Sequence, residues 1–388
     1  MSQGPLGGMK VVEFAGIGPG PMCGMLLADL GAEVLRVDRL APSGLGIERA
    51  PKFDLLNRGK RSIAVDLKAA EGVAFARRLV ACSDALIEGF RPQTMERLGL
   101  GPEPCLAQQP KLVYGRVTGF GQTGPLALAA GHDLNYIALS GALHAIGRAG
   151  APPTPPLNLV GDFGGGGLLL AFGMLAALWN TQRGGAGQIV DAAMVDGAAM
   201  LMTSLYGMLG SGMHTGPRGT NLLDSGAPHY EVFRCADGEY VSVAPIELKF
   251  RKVLVERLGL AADAFDFDDA ARWAESKTRL AAIFETRTRA QWCDLLEGSD
   301  ACFAPVLAPL EAPKHPHNQA RSTFIDIGGV VQPAPAPRFS ATPAGLPRGP
   351  HSADDGALEQ VQRWGIPASE LGALVQRGFV RAGGARAA

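Results

Sequence analysis

The chain has no CxxC pair and no histidine at metal-ligand spacing. Its six cysteines, Cys23, Cys82, Cys105, Cys235, Cys293 and Cys302, stand scattered through 388 residues, which excludes the common zinc motifs and leaves reduced core thiols as the expectation. A charge excess of either sign is lacking too. With 36 Lys and Arg against 37 Asp and Glu, the net charge of -1 gives no overall field for nucleic acid or an anionic membrane. Neither is an expected partner, and any anionic ligand must be met locally. No internal repeat and no P-loop is present. The longest uncharged run, FGGGGLLLAFGMLAALW from Phe163 to Trp179, falls short of the ~20 residues that span a bilayer, so a buried helix is expected there. The opening MSQGPLGGMKVVEF lacks the charged start and apolar middle of a secretory signal, and a cytoplasmic location is expected.

Hydrophobic residues make up 47% and charged residues 19%, with 52 glycines, a balance that suits a compact enzyme rich in turns. The length exceeds one ordinary core, so a large domain with a smaller second unit is expected. KVVEFA, the turn GIGPGP, the helical MCGMLLADLG and EVLRVD form a β-α-β unit, and SIAVDL, DALIEG, KLVYGRV and GQIVDA read as further strands between helical patterns. The fold class is therefore α/β with a mostly parallel sheet. From Tyr230 the pattern changes to a hairpin around Asp237-Gly238, followed by helices near 248–258, 268–285 and 288–297, as in a small α+β domain. The expected divisions are a large domain over 1–192, a linker helix over 193–224 and the small domain over 225–315. A second linker over 316–335, a returning segment over 336–370 and a tail over 371–388, frayed from about 377, complete the chain.

Within this frame several residues stand out. AGHDLNYIALSG places His132 beside Asp133 in an otherwise nearly apolar run, and burying either without a partner is costly. PPLNLVGDFGGGG places Asp162 before four glycines; an N-cap is the ordinary reading, close ligand approach the functional one. A histidine and an aspartate on opposite sides of one carbon would move a proton across it, a geometry that spacing alone does not establish. GIGPGP with Asp38 resembles a dinucleotide fingerprint poorly, because the third glycine falls at Pro21 or, from Gly18, at Cys23. Arg39, Arg58, Lys60, Arg61, Lys68, Arg91 and Arg97 are either solvated charges or the cations that meet a polyphosphate. Glu247 reads as a helix-starting glutamate or as a partner for an imidazole. Met194, Met200, Met202, Met208 and Met213 read as core filling, with a compliant wall for a lipid-like chain as the alternative.

The motifs GPGPMCGMLLADLGAEVLRVDR, RGKRSIAVDLK, VYGRVTGFGQTGP, AGHDLNYIALSG, PPLNLVGDFGGG, GQIVDAAMVDG and NLLDSGAPHYEVFRCADGEYVSV, in this order, resemble the family III CoA-transferases and within them the 2-methylacyl-CoA racemases. The resemblance covers residues from about 5 to 365. It implies a Rossmann-like large domain, a small α+β domain and an interlocked homodimer acting on an acyl-CoA, with no metal or redox cofactor because CoA is part of the substrate. It makes His132 and Asp162 the acid/base pair, Glu247 an assistant to the histidine, and Asp133 a nucleophile in the transferases but not in the racemases. It assigns CoA binding to Arg39, to Val65, Asp66, Leu67 and Lys68, to Gly131, Leu134, Asn135 and Tyr136, and more weakly to Arg91 and Arg97. A transferase using Asp133 and a noncatalytic acyl-CoA-binding protein are the alternatives. His229 stands where relatives usually carry an aromatic residue, and the outer acyl pocket is open at that point.

Overall fold

The computed structural model of the chain describes residues 4–41, 44, 46–350 and 356–382. The chain divides into two compact units: Met1–Ser140 with Leu157–Leu201 and Ser322–Ala388, and Gly141–Pro156 with Met202–Arg321. In the first, six apolar segments become β1 (Lys10–Phe14), β2 (Glu33–Asp38), β3 (Arg61–Val65), β4 (Ala85–Glu88), β5 (Val113–Thr118) and β6 (Gln188–Ala193). They lie side by side in the order β3-β2-β1-β4-β5-β6, every pair parallel. Central strands of such a sheet are covered on both faces, which is why they read as unbroken apolar runs. Alternation along each strand divides the core in two. Val12, Phe14, Val37, Ile63 and Tyr114 pack with Phe75 and Leu79 of the Ala70–Ala81 helix and with Val361 and Leu371 near the C-terminus. Val11, Val34, Ile87 and Val113 face Cys23 and Leu27 of the Pro19–Asp29 helix and Leu170, Met174 and Leu178 of the Leu169–Gln182 helix.

The second unit carries β7 (Glu231–Arg234), β8 (Tyr240–Val243) and β9 (Phe303–Val306), an antiparallel sheet in that order. Its helices Leu248–Arg257, Trp273–Phe284 and Arg289–Leu296 fall where the periodicity places them, and Phe233, Val241, Leu280, Phe284 and Trp292 form its core.

Four expectations are corrected. The proline-rich stretch after residue 316 contains a hairpin, β10 (Phe324–Ile327) with β11 (Val330–Pro333). After the Ala368–Gln376 helix, the segment expected to fray from about 377 instead supplies β12 (Val380–Ala382), which pairs antiparallel with β3 and closes that sheet edge; residues 383–388 lie outside the described residues. The long apolar helical run begins earlier than expected and spans Leu159–Gln182, 24 residues, long and apolar enough by length and composition to cross a membrane. Only one face is buried; Phe172 and Trp179 are 70% and 65% exposed. The methionines are not core filling as a group: Met194 is buried but Met200 and Met213 are exposed, and the Thr203–Gly210 helix, which carries Met208, buries no residue. All six cysteines are free, three buried and three partly so.

Of three cations that could have been solvated, Arg58 and Lys60 are buried and paired and Arg61 is partly buried. Arg58 holds Asp29 at 2.6 Å and donates to Gln332 and to the Pro333 carbonyl, so it clips the hairpin to the first helix. Lys60 is fully enclosed, with its Nζ 2.6 Å from Glu13 Oε2, 2.9 Å from the Pro21 carbonyl and 3.1 Å from Asn57 Oδ1. Arg61 donates to Gln360. Gly24 makes room for the Glu13 carboxylate, since a Cβ there would lie 1.8 Å from Oε2.

Candidate active site

In an open parallel sheet the connections after two neighbouring strands diverge where the strand order reverses, leaving a crevice at the carboxyl ends. Here the reversal lies between β1 and β4. The loops leaving that edge carry Gly16–Gly18 after β1, exposed Arg39 after β2, Asp66–Lys68 after β3 and exposed Arg91 after β4. Asp66 Oδ1 accepts the Lys68 N–H at 3.0 Å, a turn that leaves the Lys68 side chain exposed. Arg97 is exposed and donates to Thr94 within its own short helix, one turn beyond this edge. The post-β4 loop is held from below: Arg116 of β5 pairs with Glu88 at 2.7 Å, and the second Glu88 oxygen accepts the Phe90 N–H at 2.8 Å.

His132 and Asp133 open the Asp133–Leu139 helix and part company there. His132 is the N-cap residue, extended at φ −133°, ψ 175°, and its side chain is exposed. Asn135 Oδ1 accepts its N–H at 3.0 Å, and the Tyr136 hydroxyl donates to the carbonyl of Gly131 just before it. Asp133, the first helical residue, turns inward and is 5% exposed. Its Oδ1 accepts the Asp162 N–H at 2.6 Å, while Oδ2 is buried with no hydrogen-bond partner. The residue next to His132 is thus bonded to the main chain of Asp162.

Asp162 is not an N-cap. It sits inside a wide π-helical turn, Leu159–Leu168, that runs straight into the Leu169–Gln182 helix. Such turns re-aim side chains and recur at functional sites. The glycines that follow serve packing, not ligand approach: a Cβ on Gly165 would meet Ala198 N at 2.6 Å, on Gly166 Pro19 at 2.8 Å and on Gly167 Met22 at 2.8 Å. Gly161 is needed for Asp133, whose Oδ1 would lie 2.6 Å from an added Cβ. Asn158 donates to Asp162 Oδ2 at 3.3 Å, and Gly18, at φ 66°, brings the post-β1 turn against the same carboxyl. Burial pushes the Asp162 carboxyl above the usual carboxylate range, and the Asp133 carboxylate pushes the same way; the Asn158 amide and the His132 imidazole oppose them. The Tyr136 hydroxyl is pushed up to about 12, first by burial and then by the charge of Asp162. Its ring fills the space over Gly119 and meets Phe120 edge-on at 5.0 Å.

The structure therefore brings His132, Asp133, Asn135, Tyr136 and Asp162 together in one unit, with Arg39, Lys68 and Arg91 at the same sheet edge. Val65 is buried at the end of β3, whereas Leu134 is exposed. Glu247 belongs to the other unit; β8 ends at Val243, and Glu247 is the exposed N-cap residue of the Leu248–Arg257 helix. Asn158, Gly161 and the contact of Gly18 with Asp162 escaped the sequence reading, because nothing local marks an amide or a glycine as facing a carboxyl from elsewhere. Asp38, the acid of the dinucleotide reading, is buried and paired with Arg36 of its own strand at 2.7 Å.

Comparison with known proteins agrees with the motif order. The model of CoA-transferase family III matches residues 6–354. The chain is 45% identical to the alpha-methylacyl-CoA racemase of Mus musculus, covering 94% of this chain and 95% of that protein, and 46% identical to that of Homo sapiens, covering 87% of each. Its fold is similar to that of a CaiB/BaiF family protein from Brucella suis, with a TM-score of 0.78 and 29% identity over 93% of this chain and 100% of that one. These matches place the protein in the family III CoA-transferases, with alpha-methylacyl-CoA racemases among its similar relatives.

Proposed function

We propose that the protein inverts C2 of 2-methyl-branched acyl-CoA thioesters by proton transfer through an enolate. The thioester carbonyl acidifies the neighbouring C–H, yet that proton stays far less acidic than any side chain, so its removal needs a placed base and a stabilised oxyanion. His132 takes the proton from one face while Asp162 returns one to the other; in the reverse direction the roles exchange. The C2–H bond breaks toward the imidazole, its electron pair moves into the enolate, and C2 takes the Asp162 proton as the carbonyl re-forms. The Asp133 N–H stands in the first turn of a helix, where amides lack intrahelical acceptors, and serves the oxyanion. Arg39, Val65–Lys68, Arg91, Arg97, Gly131, Leu134, Asn135 and Tyr136 are assigned to CoA, the exposed cations meeting its phosphates. The role of Glu247 as assistant to the imidazole rests on the resemblance alone.

The observation that carries this reading over transfer is the state of Asp133. A transferase nucleophile must present a free carboxylate oxygen to the thioester. Here one oxygen accepts an amide proton and the other is buried, while the neighbouring imidazole is exposed. Incubating one epimer in deuterated water tests the proposal: deuterium at C2 with loss of optical purity is expected. No exchange across several chain lengths overturns it, and hydroxylamine capture of an acyl group on Asp133 would move the protein to the transferases. The reading includes a homodimer, supported by the resemblance and by the exposed apolar Phe172 and Trp179; a monomeric mass in solution contradicts that part.

A further inference from the structure

We infer that Asp133 is a positioning residue that acts through Asp162: its carboxyl group fixes the Asp162 main chain by taking its N–H, an approach that Gly161 leaves open. The inference deepens the racemase reading and rests on it for its kinetic arm. Three geometric facts carry it. The Asp133 Oδ1 to Asp162 N distance is 2.6 Å, a close hydrogen bond that ties the side chain to the main chain of the acid. Gly161 lacks the Cβ that would collide with that oxygen at 2.6 Å, so the approach is built into the chain just before the acid. The other oxygen, Oδ2, is buried with no hydrogen-bond partner, so no second donor turns the side chain away from Asp162.

The surroundings of Asp162 leave Asp133 as the like charge that matters. The Asp133–Leu139 helix and its cap bring His132, Asp133 and Tyr136, and the π-helical turn itself brings Asn158. The turn before Pro19 brings Gly18, with no charge. The Met194–Leu201 helix carries Asp196, whose charge is felt at Asp191 and not at Asp162. Two carboxyls this close, away from bulk water, cannot both ionise as readily as either alone, and the half-buried one raised above the usual range is Asp162. An acid that must give a proton in one direction and take one in the other gains from being held near that balance.

The test uses Asp133→Asn, which keeps an oxygen for the amide but removes the charge, Asp133→Ala, which removes both, and Gly161→Ala, which displaces the carboxylate without deleting it. In protein carrying carboxyl-labelled aspartate, the Asp162 signal is the one missing from Asp162→Asn. In Asp133→Asn it should titrate at lower pH than in the parent protein, and the acid limb of the kcat/KM profile should move with it. Asp133→Ala and Gly161→Ala should lower kcat by roughly 100-fold, the scale of a misplaced reacting group, with KM for the acyl-CoA within about threefold; Asp133→Asn should recover most of that loss. An unmoved Asp162 titration in Asp133→Asn, or full kcat in Asp133→Ala, overturns the inference. The labelled titration needs no turnover. Absence of C2 exchange in the parent protein would therefore sink the racemase reading while leaving this result to stand or fall alone.

Discussion

His229 is the residue whose environment makes the sharpest thermodynamic demand. It is 1% exposed, both ring nitrogens lack hydrogen-bond partners, and the ring packs edge-on against Phe267 at 5.1 Å and Trp273 at 6.2 Å. Burial, with the nearby Arg251 cation adding to it, lowers its pKa from 6.5 to about 4, and Asp268 opposes weakly. A base whose folded pKa lies below its unfolded value is held neutral by folding. Above 6.5 neither state binds the proton and nothing is lost. As pH falls from 6.5 toward 4, the unfolded chain takes the proton and the folded chain does not, so stability falls with it. Between about pH 7.5 and 4.5 this one group removes about 2.5 kcal/mol, the free energy of the extra protonation in the unfolded state. His229→Phe keeps an aromatic ring and deletes both the titration and the orphan nitrogens, which cost about 1–3 kcal/mol when left unpaired in a core. Denaturant melts of both proteins at the two pH values cancel the shared acid loss of the carboxylates. The variant should gain about 2.5 kcal/mol on the parent between the higher and the lower pH. An equal gap at both values would refute the reasoning, whatever its sign.

Other consequences follow from the same geometry. His132→Ala should abolish C2 exchange in deuterated water while CoA binding, measured by calorimetry, changes by less than about threefold, because the binding cations are other residues. Lys60→Ala strands the buried Glu13 carboxylate and should cost about 3–5 kcal/mol in denaturant melts; Lys60→Met with Glu13→Leu should recover most of it, since a matched apolar pair replaces a matched ionic one. Val380→Ala removes buried methyl groups from β12, and a loss of about 1–2 kcal/mol is expected; no loss would mean that the last strand does not close the sheet in solution.

The parallel strands were legible because β1 to β5 are largely covered on both faces and so are rich in Val, Ile and Leu, and the helices of the small unit because their apolar positions recur every three to four residues; β6 is a half-exposed edge strand. β10, β11 and β12 were not. They are three or four residues long and proline-flanked or terminal; β10 and β11 pair with each other, and β12 exists through a partner far along the chain, Val380 lying opposite Val65. The fates of Arg58 and Lys60 were hidden for the same reason: a cation in sequence is the same letter whether water or a distant carboxylate such as Asp29 or Glu13 receives it.

The order of the motifs, the alternation of strand and helix, and the presence of an imidazole and two carboxyl groups belong to the sequence by itself. Which carboxyl is free to do chemistry does not. His132 and Asp133 are neighbours, but one closes an extended segment and the other begins a helix, and that change of backbone angles sends one side chain outward and the other into the protein. Only the folded chain brings Asp162 N–H to meet the buried carboxylate, because a contact between residues 29 apart is decided by packing of the π-helical turn against the helix and not by any local preference.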